Sequence, residues 1–321
     1  MWRAISDAQS DLRQFCALPG LGELSPQAVL SHAPDEKLLL DGAGRCSLWW
    51  RRTPAYPGHR LGLIGHYAAD NAQTAAQVLT HACERLRDAG CTLAVGPMDG
   101  STWRRYRLLT QRGSESVFFL EPDNPDDWPG HWESAGFTPL AHYFSAVVND
   151  LNMPDDSLAA RLSGEGYRIH SVDPARIPAA LEAIWTVAVD AFAQNFLYTP
   201  LAKEEFLAGY TQLLPHVRPE LVLTAEHGGR PAGFCFAIPN LLQGARGEPI
   251  DTIVVKTLAV SADHARRGLG KLLYRRTLNA AAALGYRRAL LALMHEDNPS
   301  RRIGGPGARD IRQYILYARP L

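Results

Sequence analysis

Apolar residues recur at helical spacing in two long stretches and gather into short compact runs elsewhere, so the chain reads as alternating amphipathic helices and strands. Over 72–89, Ala76, Leu79, Cys83 and Leu86 fall on one face, and Gly90 follows where a left-handed C-cap ends a helix. Over 269–284, Leu269, Leu272, Leu273 and Leu278 make a similar stripe, closed by Gly285. Each predicted helix leads into a short apolar strand, Thr92–Val95 in one case and Arg288–Met294 in the other. Beyond each strand stands an arginine pair, Arg104-Arg105 and Arg301-Arg302. A further strand is predicted at 141–148, after Ala135-Gly136-Phe137.

Between these repeats the pattern breaks. The stretch from Asn149 to Gly166 opens Asn-Asp-Leu-Asn-Met-Pro-Asp-Asp, polar and proline-punctuated between two apolar regions. The boundary is placed there, giving domains at 1–150 and 151–321, each an α/β unit with a mixed sheet and the same order of elements. The chain's 321 residues suffice for two domains with real cores.

Charge and cysteine usage narrow the function classes. Lys plus Arg and Asp plus Glu both total 33, so the net charge is zero and a general nucleic-acid or membrane surface is not indicated. The five cysteines (Cys16, Cys46, Cys83, Cys91, Cys235) include no Cys-x-x-Cys pair and have no histidine cluster nearby at ligand spacing, so no metal site or disulfide frame is expected. No run reaches membrane-spanning length, and Met1–Asp7 carries no apolar leader; a reduced, cytoplasmic protein is expected.

The chemistry concentrates before the second long helix. Thr257-Leu258-Ala259-Val260 is an apolar strand end, and His264-Ala265-Arg266-Arg267-Gly268-Leu269-Gly270-Lys271 is a glycine-rich basic turn into the helix. Glycines let the backbone turn tightly and present successive N–H groups. The helix dipole places positive charge at the same point, and Arg266, Arg267 and Lys271 add full charges. A pyrophosphate suits that turn. It is not a nucleoside-triphosphatase loop, because Lys271 is followed by Leu272, and it lacks the third glycine and the distant acidic residue of a dinucleotide fingerprint.

This order of strand, Arg-Arg-Gly-x-Gly turn, helix and second strand resembles the acyl-CoA-binding core of the GCN5-related N-acetyltransferase (GNAT) superfamily, and the whole chain resembles a tandem of two such folds. The resemblance implies acetyl-CoA, or another acyl-CoA, as co-substrate. Its pyrophosphate would lie on Arg266, Arg267, Gly268, Leu269, Gly270 and Lys271, its pantetheine along the backbone of Leu258, Ala259 and Val260, and Asn298 would join the cofactor site. The family's usual Arg or Gln three residues before the first motif glycine is Ala265 here. In the first half the equivalent turn is Gly65-His66-Tyr67-Ala68-Ala69-Asp70-Asn71, where an aspartate opposes an anion, so that domain is expected to be degenerate and to serve as a packing partner or a cleft wall. Its loops 96–107 and 118–128 mix aromatic, basic and acidic residues, the composition of a recognition surface, although Trp103, Trp128 and Trp132 fit equally well as interface plugs.

Amine acylation requires a neutral amine, a polarised thioester carbonyl and a proton for the departing thiolate. Many family members place a tyrosine about seven residues beyond an asparagine such as Asn298; here that position is Gly305, within Gly304-Gly305-Pro306-Gly307, which forms no stable helix. Ser300 is the preferred substitute, with Tyr314 and Tyr317 as further candidates. Of His295, Glu296 and Asp297 at the end of the predicted strand, Glu296 is the chosen base. Asn195 and Tyr198, between a helix starting near Pro178 and another over 203–214, are the expected acceptor contacts. The leading reading is N-acetyl transfer to a small or amino-acid-like amine. The alternatives are succinyl or long-chain acyl transfer, transfer to oxygen, a regulatory protein that binds acyl-CoA without turnover and, last, a nucleic-acid-binding module, against which the neutral charge speaks.

Overall fold

The computed structural model describes every residue except 21, 22, 41, 155 and 212. The first half runs β1 (Trp2–Ala4), α1 (Gln9–Cys16), α2 (Pro26–His32), β2 (Glu36–Leu40), β3 (Gly44–Trp49), β4 (Leu61–Ala69), α3 (Ala72–Asp88), β5 (Leu93–Gly96), β6 (Leu108–Gln111), α4 (Trp128–Ser134) and β7 (Thr138–Val148). The second runs α5 (Asp156–Gly164), β8 (Tyr167–Ser171), α6 (Ile177–Phe192), α7 (Lys203–Thr211), β9 (Val222–His227), β10 (Arg230–Pro239), α8 (Leu241–Ala245), β11 (Thr252–Val260), α9 (Leu269–Ala283), β12 (Arg288–His295) and β13 (Arg309–Pro320).

The two long helices form where the apolar period predicts them. In α3 the buried stripe is Ala75, Val78, Leu79, Ala82, Cys83 and Leu86; Ala76 is exposed, a correction of one position that leaves the face intact. In α9 Leu269, Leu272, Leu273 and Leu278 are all buried. Gly90 and Gly285 have φ of 82° and 90°, the left-handed caps that a side chain would strain. The helix expected over 203–214 ends at Thr211, and a single 3-10 turn over Leu214–His216 follows, because Pro215 cannot donate to a helical bond.

The thirteen strands among the described residues join one sheet in the order β1-β2-β3-β4-β5-β13-β7-β12-β11-β10-β9-β8, with β6 pairing beside β13. The two halves exchange their last strands. β13, from the second half, lies against β5 through Tyr317↔Gly96 and Ala318↔Val95, and β7, from the first, lies against β12 through Leu290↔Val147 and Leu291↔Ala146. β7 and β13 also pair with one another, antiparallel, at the centre. The tandem plan is thus knitted across the 149–155 link. Each half is a mixed sheet with its long helix, α3 or α9, on one face; in the second half α6 packs on the opposite face, over Phe234, Val254 and Leu290.

Of the three tryptophans in the first-half loops, Trp128 and Trp132 sit in that half's own core with Tyr67 and Phe137. Trp103 bridges the halves, its Nε1 donating to the Thr199 carbonyl at 2.9 Å and its ring against Phe192, Tyr198 and Phe206.

Candidate acyl-CoA cleft

Each half contains a pair of parallel strands that run together and then part, and the two pairs end differently. β11 pairs with β12 only from Thr252↔Arg288 to Val255↔Leu291. Beyond Val255 the edge of β11 that faces β12 has no strand partner among the described residues, while its other edge stays paired to β10 through Leu258↔Cys235, Ala259↔Phe234 and Val260↔Gly233. Two irregularities open the gap. Lys256 is the extra residue of a β-bulge between Phe236 and Ala237. β12 breaks register between Leu291 and Met294, where Leu293 takes φ of 61° and its N–H donates to Ser145 Oγ at 3.1 Å.

In the first half the equivalent gap is filled. β4 and β5 pair from Leu61↔Leu93 to Leu63↔Val95, after which the Met98 N–H donates to the Ile64 carbonyl at 2.8 Å and the His66 N–H to Asp99 Oδ1 at 2.6 Å. A Cβ on Gly65 would lie 2.2 Å from the Met98 carbonyl oxygen, so the 98–100 loop lies directly on the strand. Behind it His66 Nε2 meets His32 Nδ1 at 2.8 Å and His66 Nδ1 meets Ser47 Oγ at 2.9 Å. His32, His66 and Asp99 bring three metal-capable atoms within 4.8 Å of one another, a grouping that their sequence separation hides. The cationic neighbours Arg45, Arg104 and Arg105 oppose a cation there, and the group is a buried hydrogen-bonded plug. Burial, with these charges, pushes both imidazoles down to about 3.

The helix starts differ in the same sense. Asn71 caps α3, its Oδ1 accepting the Thr74 N–H at 2.9 Å. The N-cap of α9 is Gly268, with φ of 88° and no side-chain cap, so the amides of its first turn have no side-chain acceptor among the described residues. Arg266 also takes a left-handed φ, 62°, and Arg266, Arg267 and Lys271 are exposed beside these amides. Helix α5 braces the turn: Arg161 Nη2 donates to the Arg267 carbonyl at 2.6 Å. This arrangement can hold an anion by backbone N–H groups, as the glycines and charges of the sequence imply.

The remaining sequence-derived candidates scatter around the open end of β12. Glu296 is exposed and fixed to β7, its Oε1 accepting the His142 N–H at 2.8 Å and its own N–H donating to the His142 carbonyl at 3.0 Å. The Asn298 side chain accepts the Ser300 N–H at 2.9 Å and so caps the Pro299–Arg302 turn. That use turns it toward its own turn. Tyr314 and Tyr317 are buried, and their hydroxyls donate to Glu121 and Glu133, which commits both. Asn195 is exposed, and Tyr198 is half-buried against Trp103. Between them Leu197, φ 52°, is buried among first-half residues, so the α6–α7 connection reaches across the cleft.

Three further side chains lie in this region: His295, weighed beside Glu296 in the sequence, Arg107, part of the 96–107 loop, and Lys256, which the sequence reading did not name. Arg107, at φ 68°, is 5% exposed, with its guanidinium 4.0 Å above the Tyr106 ring and 4.3 Å from the Tyr143 ring. Lys256 is surrounded by protein but keeps partial contact with solvent, as a side chain at the foot of a cleft does, and burial together with the Arg107 charge lowers it to about 8. His295 stacks edge-on to Tyr143 at 5.0 Å and is lowered chiefly by burial. A lone lysine inside the apolar run Thr252–Val260 is the signal that marks Lys256 in the sequence.

Residues 183–303 match the model of the acetyltransferase (GNAT) family. No curated protein sequence matches the chain. Among solved structures, the chain is similar over its whole length to a GCN5-related N-acetyltransferase from Anabaena variabilis (8% identity, 73% of that chain, TM-score 0.55). A tandem GNAT protein from the clavulanic acid biosynthesis pathway is matched over 100% of this chain and 98% of its own, at 12% identity and TM-score 0.52. Eis1 from Mycobacterium abscessus is matched over 100% and 73%, at 14% identity and TM-score 0.50. At these identities the likeness is one of fold.

Proposed function

We propose that this chain, a two-domain protein of the GNAT superfamily whose family-matching segment lies in its second half, is an acyl-CoA-dependent N-acyltransferase that moves acetyl from acetyl-CoA to a primary amine of a small or amino-acid-like acceptor. The observation that carries the reading is the contrast between the halves. One strand pair opens beside an uncapped glycine helix start, while the other is plugged by the Met98–Asp99 loop beside an Asn71 cap. One competent site per chain follows.

In this reading the pyrophosphate lies on the 266–271 turn, the pantetheine runs along Leu258–Val260, and the thioester reaches the gap past Val255. Backbone N–H groups on the open edge of β11 polarise the carbonyl. The amine nitrogen attacks the carbonyl carbon, a C–N bond forms, the C–S bond breaks, and the sulfur leaves as thiolate. The amine's surplus proton passes through water to Glu296, whose Oε2 has no partner among the described residues, and Ser300 hands its proton to the thiolate while taking one from solvent water. Asn195 and Tyr198 line the acceptor's entry. The cytoplasm is the compartment that supplies acetyl-CoA to such an enzyme.

Calorimetric titration of acetyl-CoA into the protein and into a Gly268→Glu, Gly270→Glu double variant tests the binding half of this reading. About one site per chain in the first and none in the second is the expected result; no binding to the unmodified protein removes it. A second reading, acyl-CoA binding without turnover, is favoured by Gly305 at the usual tyrosine position and by the engagement of Glu296 with His142. Release of free CoA in the presence of amines separates the two.

A further inference from the structure

We infer that the cleft takes a ligand bearing a carboxylate, held between Lys256 on β11 and Arg107 of the first half. The inference rests on the acyltransferase reading for the position of the reacting groups, and on the following geometry for the charge.

Lys256 is the first residue past the last β11–β12 pair, Val255↔Leu291, and its bulge sets it where the strands part. Val254 and Ala259 of the same strand face the α6 side of the sheet and Val255 the α9 side. On the other side of the gap, β12 ends at His295, which pairs with Tyr143 of β7, and Arg107 lies over the Tyr143 ring. Arg107 and His295 both lie against the Tyr143 ring, at 4.3 Å and 5.0 Å, and the Arg107 charge also acts on Lys256.

Arg107 and His295 each bring one buried donor atom without an acceptor among the described residues. Arg107 places Nη1 on the Tyr106 hydroxyl at 2.8 Å, but its Nε is buried with no partner among the described residues. His295 Nδ1 accepts the Asp297 N–H at 3.1 Å, which puts the ring proton on Nε2 in the neutral form, and Nε2 is also buried without a partner among the described residues. No carboxylate among the described residues pairs with Lys256 or Arg107. Glu121 is bound to Arg312 and Tyr314, and Glu296 and Asp297, whose charges act on His295, form no ion pair with Lys256 or Arg107 among the described residues. Arg107 lies over the Tyr106 and Tyr143 rings and Lys256 is desolvated, so two cations without a counter-ion are costly here, and a bound anion offsets that cost.

The anion is not the pyrophosphate. Four residues of extended strand, roughly 13 Å, separate Lys256 from Val260, and the glycine turn lies further on. The charge sits instead at the acyl end, where a planar carboxylate suits a guanidinium fork and an ammonium. It belongs either to the acceptor, as in an α-amino acid, or to the acyl group, as in a dicarboxylic acyl-CoA.

The test compares matched pairs. L-amino acids are titrated against their decarboxylated amines with CoA bound, and succinyl-CoA against acetyl-CoA, each in the unmodified protein, in Lys256→Met and in Arg107→Gln, with acetyl-CoA affinity as the control for folding and for the cofactor site. A carboxylate preference of tenfold or more in one pair type, reduced to near unity in Lys256→Met with acetyl-CoA affinity retained, is the expected result, and the pair type that shows it identifies the source. Equal binding within every pair, no binding by any carboxylate, or a preference that survives Lys256→Met overturns the inference while leaving the acetyl-CoA titration to judge the acyltransferase reading. Should Arg107→Gln fail to fold, Lys256→Met alone decides.

Discussion

His66 and Lys256 occupy corresponding places in the two halves, each at the β-bulge of the strand that leads into its long helix. Lys256 stands just past the last β11–β12 pair, where the strands part, whereas His66 is 4% exposed and tied to Ser47, His32 and, through its N–H, Asp99. The same irregularity thus stands where the strands part in one half and in a hydrogen-bonded plug in the other.

The plug makes stability depend on pH. Both imidazoles have folded-state values near 3 against 6.5 for an ordinary histidine, so the unfolded chain binds more protons between those limits. Their contribution is present above about pH 6.5 and is lost as pH falls toward 3, with a slope of up to about 1.4 kcal/mol per pH unit for each histidine. Asp99, raised by burial, acts in the opposite sense, contributing below its unfolded value and losing that contribution as pH rises. Urea unfolding from pH 7 to pH 4 should show a steeper loss in the unmodified protein than in His66→Asn, which tolerates the left-handed φ of 45°; parallel curves would contradict the assignment.

A second prediction concerns the buried pair that ties loop 112–121 to β13. Arg312 Nε lies 3.0 Å from Glu121 Oε1 with both side chains fully excluded from solvent, and the Tyr314 hydroxyl donates to the same oxygen. Removing one partner strands the other, so Glu121→Ala or Arg312→Ala should cost about 3–5 kcal/mol. The double replacement should cost less than the sum of the two, because neither charge is then left alone; additive losses in a double-mutant cycle would show that the pair is not coupled.

The exchange of β7 and β13 predicts how the chain behaves when cut. Neither half closes its sheet alone, since β5 borrows β13 and β12 borrows β7. Fragments 1–149 and 156–321 produced together should purify as a one-to-one complex, and each produced alone should be insoluble or unfolded by circular dichroism. Two independently folded, non-associating fragments would show that the exchanged pairing is dispensable.

Much of the local architecture was legible in the sequence, because it rests on short-range rules. The α3 and α9 stripes, their glycine caps and the basic glycine turn all follow from period and backbone preference. The strand exchange was not legible, since β7 and β13 are ordinary apolar strands whose partners are set by sequence-distant register. For the same reason Arg107 was read only as one member of a recognition loop. Its convergence with Lys256 and His295 depends on a bulge, a broken register and the packing of one half on the other. Asp70 was the sequence's reason to expect a degenerate first site; the Asn71 cap and the 98–100 loop lying on β4 were not legible in it.

The two turn glycines should separate stability from binding. Gly268 sits at φ 88°, and a Cβ there would meet Leu158 at 3.1 Å and Arg161 at 3.3 Å, so Gly268→Ala should lose about 1–2 kcal/mol by backbone strain alone. Gly270 lies in the first turn of α9, where an added Cβ meets only Val260 at 3.5 Å and Leu258 at 4.0 Å, ordinary contacts. Alanine is the better helix former by about 0.5–1 kcal/mol, so Gly270→Ala should hold or raise the Tm. The protein's own packing therefore gives no reason for glycine at 270. If the reason is close approach of the acyl-CoA backbone beside Leu258 and Val260, the same substitution should weaken acetyl-CoA binding several-fold in calorimetry while the Tm does not fall. A Gly270→Ala variant that gains stability and keeps full affinity would mean that the ligand does not approach the helix start at this residue.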